Sequence, residues 1–241
     1  MEKKLLWLSL FIVSAILYYL LFGGEQIIGN VIKSEFIKEE VIVQRVIDGD
    51  TLELEDSRRV RMLGVNTPEK KRFMSEEAIN YTKQLEGKNV ILEYNERDKY
   101  GRILGYIIYN GENINLGLLR NGLAHAYFYQ EDIYFNKAKE LESLARNEER
   151  GIWTPSQHKD CLELLEFRYN EDGKRCSNKE RLILENSCSE LDVLIKDDAT
   201  HEFSQKISTG VFSMNFSCTF NDVGDSLFIW DDSGLLIFYR Y

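Results

Sequence analysis

The chain has 241 residues, 44% of them hydrophobic, which is enough for one large core or two small ones and excludes wholesale disorder. Acidic residues outnumber basic ones by 40 to 30 and the formal net charge is −10, so a protein that coats nucleic acid through general basicity is excluded too. With 16 Gly against 2 Pro, and 13 each of Tyr and Phe, the composition suits strands joined by tight turns.

Leu5 to Phe22 gives 18 consecutive uncharged positions, interrupted by Ser9 and Ser14. As a helix this run reaches ~27 Å, close to the depth of a bilayer core. Lys3 and Lys4 precede it and Glu25 is the first charge beyond it, so the positive-inside bias leaves the N-terminus in the cytoplasm and sends the rest outside. Leu21-Phe22-Gly23-Gly24 lacks the small-residue pattern of a signal-peptide cleavage site. Residues 1–23 therefore read as a single-pass cell-membrane anchor in contact with the lipid bilayer, and the protein is secreted if that segment is cut. Residues 24–40 read as a tether.

A first module is expected over 41–155. Strands are predicted at Val41–Ile47, Thr51–Glu55, Arg59–Val65, Asn89–Tyr94 and Ile103–Tyr109, each bounded by Gly, Asp or Asn, and five such strands suggest a small barrel. Three helices are predicted, at Ser75–Glu86 before Gly87, Asn115–Asn121 before Gly122, and Ile133–Arg150 before Gly151. In the last of these, Ile133, Phe135, Ala138, Leu141, Leu144 and Ala145 recur at helical spacing, a stripe that reads as core.

A second module, over 161–241, reads as a β-sandwich. Its predicted strands are Leu162–Tyr169, Arg181–Glu185, Leu191–Ile195, Ser226–Trp230 and Leu235–Tyr239. The last two flank the turn Asp231-Asp232-Ser233-Gly234, which closes a hairpin with Phe228 and Trp230 opposite Leu236 and Phe238. All four cysteines lie in the last third, and an even count in an exported segment reads as disulfides. Of three possible pairings, Cys161 with Cys176 and Cys188 with Cys218 is the expected one, because the first brackets the turn Asn170-Glu171-Asp172-Gly173.

Three clusters in the first module hold polar residues that a barrel core does not need: Asp48-Gly49-Asp50-Thr51, Arg61 through Glu69, and Asp98-Lys99-Tyr100-Gly101-Arg102. Singly they have plain readings, Asp-Gly-Asp as a turn and an arginine as a solvated strand residue. Together they supply what phosphodiester cleavage requires: a carboxylate for a hard cation, another to activate water, and guanidinium groups for the charge on the phosphate oxygens.

Over roughly Val41 to Trp153 the chain resembles the staphylococcal nuclease (thermonuclease-like) family. The matching residues are Val46-Ile47-Asp48-Gly49-Asp50-Thr51, Val60-Arg61-Met62-Leu63-Gly64-Val65-Asn66-Thr67-Pro68-Glu69, Asp98-Lys99-Tyr100-Gly101-Arg102, Asn115 to Ala124, and Gly151-Ile152-Trp153. The resemblance implies an OB-fold barrel with three helices and a calcium-dependent nuclease acting on DNA and RNA and leaving 3′-phosphates. It implies Asp50 as the principal Ca²⁺ carboxylate, with Thr67 offering its carbonyl and Asn66 standing where the family usually has a second Asp. It further implies Glu69 as general base, Arg61 and Arg102 as the phosphate clamp, Lys99 and Tyr100 on a terminal phosphate, and Tyr127 on the nucleotide. Met74-Ser75-Glu76-Glu77-Ala78 replaces the family's usual loop element. The alternative is a catalytically inactive module that holds nucleic acid at the cell surface. Residues 161–241 resemble, less specifically, the lamin-tail domain, an immunoglobulin-like sandwich, through Leu164-Leu165-Glu166-Phe167-Arg168-Tyr169, Glu180 to Asn186 and Gly224 to Leu235. Asp197, Asp198, Asp231 and Asp232 read there as charged turns.

Overall fold

The computed structural model describes residues 36–169, 180–220 and 224–241. The predicted anchor, all of the tether before Phe36, the turn at 170–173 and Cys176 lie outside these residues. Among the described residues no helix is long and apolar enough to cross a membrane.

The predicted barrel forms. The first strand, β1 (Ile37–Asp48), starts four residues before the predicted Val41, because Ile37 to Glu40 are already paired with β5 (Asn89–Arg97), Ile37 opposite Tyr94. It continues into β2 (Thr51–Leu54) and β3 (Arg59–Met62) as an antiparallel meander. β5 pairs with β6 (Ile103–Tyr109), and β6 then runs parallel to β3, which closes five strands on themselves. The predicted third strand is split at Leu63, with β4 (Gly64–Asn66) leaving the barrel to pair with β8 (His125–Tyr127). Gly64, at φ +73°, makes that break; a Cβ there would lie 2.6 Å from the Phe128 ring. The short β7 (Glu112–Asn113) edges the sheet.

Leu52, Val60, Leu92, Ile103 and Ile107 point inward with no exposed surface, and each such side chain contributes roughly 1.5–3 kcal/mol by leaving water. The helices α1 (Ser75–Lys83), α2 (Ile114–Arg120) and α3 (Phe135–Asn147) stop one to three residues before their predicted ends; α2 starts one residue earlier than predicted and α3 two later. Each presents its buried residues, such as Ala78, Leu118 and Leu141, to this core.

The C-terminal residues form two antiparallel sheets. One has β13 (Gly210–Phe216), β10 (Glu180–Asn186) and β9 (Leu162–Arg168) in that order. The other has β12 (Glu202–Ile207), β11 (Leu191–Lys196), β14 (Ser226–Asp231) and β15 (Gly234–Arg240). Leu182, Leu184, Ile195, Ile207, Leu227 and Ile229, drawn from both sheets, share one buried core.

The cysteine pairing differs from expectation: Cys161 is bonded to Cys188. Strand pairing decides this, since Leu162 stands opposite Asn186 and brings the flanking residues 161 and 188 to a Cα separation of 5.3 Å. Cys218 is also disulfide-bonded. The Cys161–Cys188 link spans 27 residues of sequence, and a loop of that size gives ~3 kcal/mol. Replacing both residues by Ser is expected to lower the urea-unfolding free energy by about that amount, and an unchanged midpoint would show the link to be dispensable.

Ile37–Tyr241 form one compact unit. The predicted aromatic hairpin is the reason: Phe228 and Trp230 on β14, stacked with ring centroids 4.8 Å apart, join Ala145, Ile152 and Trp153 of the first module in a third core. The Trp230 indole N–H donates to the Ile152 carbonyl at 3.0 Å, and Leu235 N–H donates to the Thr154 carbonyl at 2.8 Å. Asp231 accepts from Ser156 Oγ at 2.7 Å and pairs with His158 Nδ1 at 2.8 Å, so it is a structural turn residue here.

Burial pushes the Asp231 carboxyl up, but the bonds from Ser156, His158 and Ser233 outweigh it and hold the group below its ordinary value of 3.8. A lowered folded-state value means stability that is present above pH 3.8 and lost as pH falls through the native value. Asp231→Asn is therefore expected to flatten the acid limb of the unfolding curve below that pH. An acid limb identical to that of the parent would place the titration elsewhere.

Candidate active site

The barrel's closure brings the three polar clusters to one edge. Thr51 of β2 stands opposite Arg61 of β3, and Arg61 stands opposite Leu104 of β6, two residues after Arg102. Gly49 makes the first turn close enough, because a Cβ there would meet the Thr67 hydroxyl at 2.7 Å and Ala78 Cβ at 2.9 Å. Asp50 is buried beside these groups. Its Oδ2 accepts from the Thr67 backbone N–H at 2.9 Å and the Thr67 hydroxyl at 3.0 Å, and lies 3.3 Å from Arg61 Nη2. Thr67 thus touches Asp50 through its N–H and hydroxyl.

Arg61 is held from behind. Its Nη1 donates to the Met62 and Val65 carbonyls at 2.7 and 2.8 Å, and its Nη2 to Asn66 Oδ1 at 3.2 Å. Five donors in a fixed plane allow this, and a lysine in the same place lacks them. Arg102 is oriented by its own loop: Nε donates to Asp98 Oδ2 at 2.7 Å, while Asp98 Oδ1 accepts from the Tyr100 and Arg102 backbone N–H groups. Arg61, Lys99, Tyr100, Arg102 and Tyr127 line one cleft of about 430 Å³. Five predicted residues from three segments meet there. Pairing of Gly64 with Tyr127 places that tyrosine, and Tyr129 packs edge-on against it at 4.9 Å.

Glu69 stands apart from the cleft wall, exposed on the turn that follows Thr67, where its carbonyl accepts from Arg72 N–H at 3.0 Å. Asn66 is buried, and while its Oδ1 accepts from Arg61, its amide nitrogen turns the other way. Its Nδ2 donates to the Asp198 and Ala199 carbonyls of the C-terminal sheets at 2.9 and 2.8 Å. Both partners are carbonyl oxygens, so the amide orientation is fixed by chemistry.

Asp48 was in the predicted motif without a role. Burial, together with the neighbouring Asp50 charge, pushes its carboxyl up to about 6, which marks a site where negative charge is crowded. Lys196, a buried cation from β11, is the residue that sequence reasoning missed altogether; the acids acting on it include Asp197, Glu202 and Glu69. Its only signal in the sequence is a lysine at the end of an apolar strand. Among the described residues no three His, Cys, Asp or Glu side chains come together as a ready-made metal cluster.

A family model described as "Staphylococcal nuclease homologue" matches residues 59–155. An Escherichia coli protein named "Uncharacterized endonuclease" is 39% identical over 118 residues, which cover 46% of this chain and 75% of that protein. The "Thermonuclease" of Staphylococcus intermedius is 37% identical over 128 residues, 48% of this chain and 76% of the other. That of Staphylococcus hyicus is 35% identical over 125 residues, 46% and 74%. The chain belongs to the staphylococcal nuclease family. Membership makes it a hydrolytic nuclease, and Arg61, Glu69 and Arg102 fall within the matched span.

Proposed function

We propose that this nuclease cleaves DNA and RNA phosphodiesters with the scissile phosphate held between Arg61 and Arg102 and with Glu69 as the base. The observation that carries the reading is the cleft in which both arginines meet Lys99, Tyr100 and Tyr127. In this scheme Glu69 takes a proton from a water molecule whose oxygen attacks phosphorus. The arginines neutralise the charge growing on the equatorial oxygens. The bond to the 5′-oxygen breaks, that oxygen takes up a proton, and a 3′-phosphate is left. Lys99 and Tyr100 bind a neighbouring phosphate and Tyr127 orients the nucleotide.

Calcium fits the donor set, which is all oxygen: Asp50, the carbonyl of Thr67 and Asn66 Oδ1 would hold it, with Asp48 adding charge close by. When bound, Ca²⁺ supplies positive charge at a non-bridging phosphate oxygen. One carboxylate fewer than the family pattern implies weaker binding, since affinity for hard cations follows ligand charge. Cleavage of single-stranded DNA and of RNA by the full chain is expected to require Ca²⁺ and to stop when a chelator is added. Retention of either polymer without cleavage at saturating Ca²⁺ would favour the inactive binding module instead.

The segment Leu5–Phe22 is proposed as the membrane anchor, with the nuclease outside the cell. The Cys161–Cys188 disulfide and the bonded Cys218 support an oxidising compartment. The C-terminal sheets are proposed as a lamin-tail-like module; their shared core and antiparallel order support a sandwich.

A further inference from the structure

The turn that carries Glu69 is bounded by Asn66 and Arg72, and both ends are gripped by the C-terminal sheets. At one end the Asn66 amide donates both its hydrogens, to the Asp198 and Ala199 carbonyls. His125, opposite Asn66 on β8, reinforces the same contact through Nε2 at 2.8 Å from the Asp198 carbonyl. Burial, with the Lys196 charge nearby, holds His125 well below the ordinary imidazole value, so the ring is neutral and Nε2 carries the hydrogen it donates. At the other end Arg72 pairs with Glu202 at 3.1 Å and donates to Ser204 Oγ at 3.3 Å.

The gripping loop is itself held by hydrogen bonds. Asp197 accepts from the backbone N–H groups of Ala199 and His201 and from the His201 ring, and the Lys196 ammonium donates to the Ala199 carbonyl. Asp198 N–H donates to Asp225 at 3.0 Å, and the Asp198 carboxylate lies 3.5 Å from Arg240. Arg240 in turn pairs with Glu142, whose Oε1 accepts from Ala126 N–H of β8 at 2.8 Å. The loop is thus tied to the strand that backs the active site as well as to the turn in front of it. Lys196, buried at the start of this loop, lines a cavity of about 390 Å³ with Thr67, Pro68, Lys71 and Arg72.

We propose that the C-terminal sheets are a working part of the nuclease site: the 196–202 loop, tied at its start by Lys196 to the Ala199 carbonyl, clamps the 66–72 turn at Asn66 and Arg72 and so positions Glu69. This rests on Glu69 being the base, as argued above. Asn66 has a reason of its own in this scheme. Aspartate has no N–H to offer two carbonyl oxygens, so a carboxylate at 66 would set like charge against them, and the asparagine satisfies them. Asn66 Nδ2, Arg72, Glu202 and Lys196 are positioning groups, since none of them has to touch the phosphate for the clamp to act.

The test uses the full chain in detergent, with steady-state cleavage of a single-stranded DNA oligonucleotide at saturating Ca²⁺ and backbone hydrogen exchange of 66–72 measured on the same samples. Asn66→Ala, Asn66→Asp and Glu202→Ala are each expected to lower kcat roughly five- to tenfold, with KM changed less than twofold. The 66–72 amides should exchange at least several-fold faster. Arg72→Glu should behave like Glu202→Ala, and adding Glu202→Arg to it should restore both exchange and kcat, which a general loss of stability would not allow. Unchanged exchange and kcat in Asn66→Ala and Glu202→Ala, or no rescue in the charge swap, would overturn the clamp. If the parent protein does not cleave DNA, the assignment of Glu69 fails, and the exchange data on the same variants still decide whether the sheets hold the turn.

Discussion

Glu69→Gln is expected to lower kcat by about three orders of magnitude, within the range that a positioned general base contributes. Glutamine keeps the size of the side chain and one acceptor oxygen but cannot accept the proton from water. The residue is exposed on its turn, so the melting temperature should hold steady. KM should change little, because the proton moves in the transition state and not on binding. Arg102→Ala belongs with it and is expected to cost a factor of roughly 10²–10³ through loss of preorganised charge. Arg102→Lys should recover only part of that. The Nε bond to Asp98 that orients the guanidinium has no counterpart in an ammonium of the same reach. Near-normal turnover in Glu69→Gln would move the base to another residue.

Trp230→Ala is the substitution expected to cost most in stability. The indole is 8% exposed, stacks on Phe228 with an interplanar angle of 8°, and donates to the Ile152 carbonyl across the junction between the modules. Truncation removes the stack, opens a cavity and leaves a buried carbonyl without its donor. Losses of about 3–5 kcal/mol are usual for such a change in a core. In a unit of this size that corresponds to roughly 10 °C in Tm. Because the same junction carries the loop that grips the 66–72 turn, cleavage should weaken along with stability. Differential scanning calorimetry reads the first effect. A loss below about 1 kcal/mol would mean that the barrel and the sheets are held by other contacts.

What the sequence made legible was whatever depends on local pattern. Alternation and turn residues located β1, β2, β5 and β6, Gly122 marked the end of α2, and the Asp231–Gly234 turn with its aromatic flanks gave the β14–β15 hairpin. The ordered clusters around Asp50, Arg61 and Arg102 pointed to a site whose members the barrel does bring together, because closure of β3 on β6 joins residues some forty positions apart.

Long-range partners were not legible. Glu202–Ile207 went unpredicted as a strand because Phe203 and Ile207 are its only apolar residues, and Gly210–Phe216 was missed although Phe212, Met214 and Phe216 alternate inward; the first pairs with β11 and the second with β10. The cysteine pairing followed the β9–β10 register, which spacing around a turn did not reveal. Asn66 looked like a weakened cation ligand; its amide partners lie 132 and 133 residues away. The aromatic hairpin was visible in the sequence, whereas its use as the junction with the barrel was not, since nothing local marks which apolar face meets another module.

Cleavage in water enriched in ¹⁸O tests the hydrolytic site most directly. A single-stranded oligonucleotide is cut under single-turnover conditions with Ca²⁺, and the fragments are weighed by mass spectrometry. Attack by a water molecule that Glu69 has deprotonated, with departure of the 5′-oxygen, is expected to leave one ¹⁸O in the 3′-phosphate of each upstream fragment and none in the 5′-hydroxyl fragment. The Glu69→Gln protein should show neither fragment on the same time scale. Label in a 5′-phosphate, or substrate recovered bound and uncut, would contradict it.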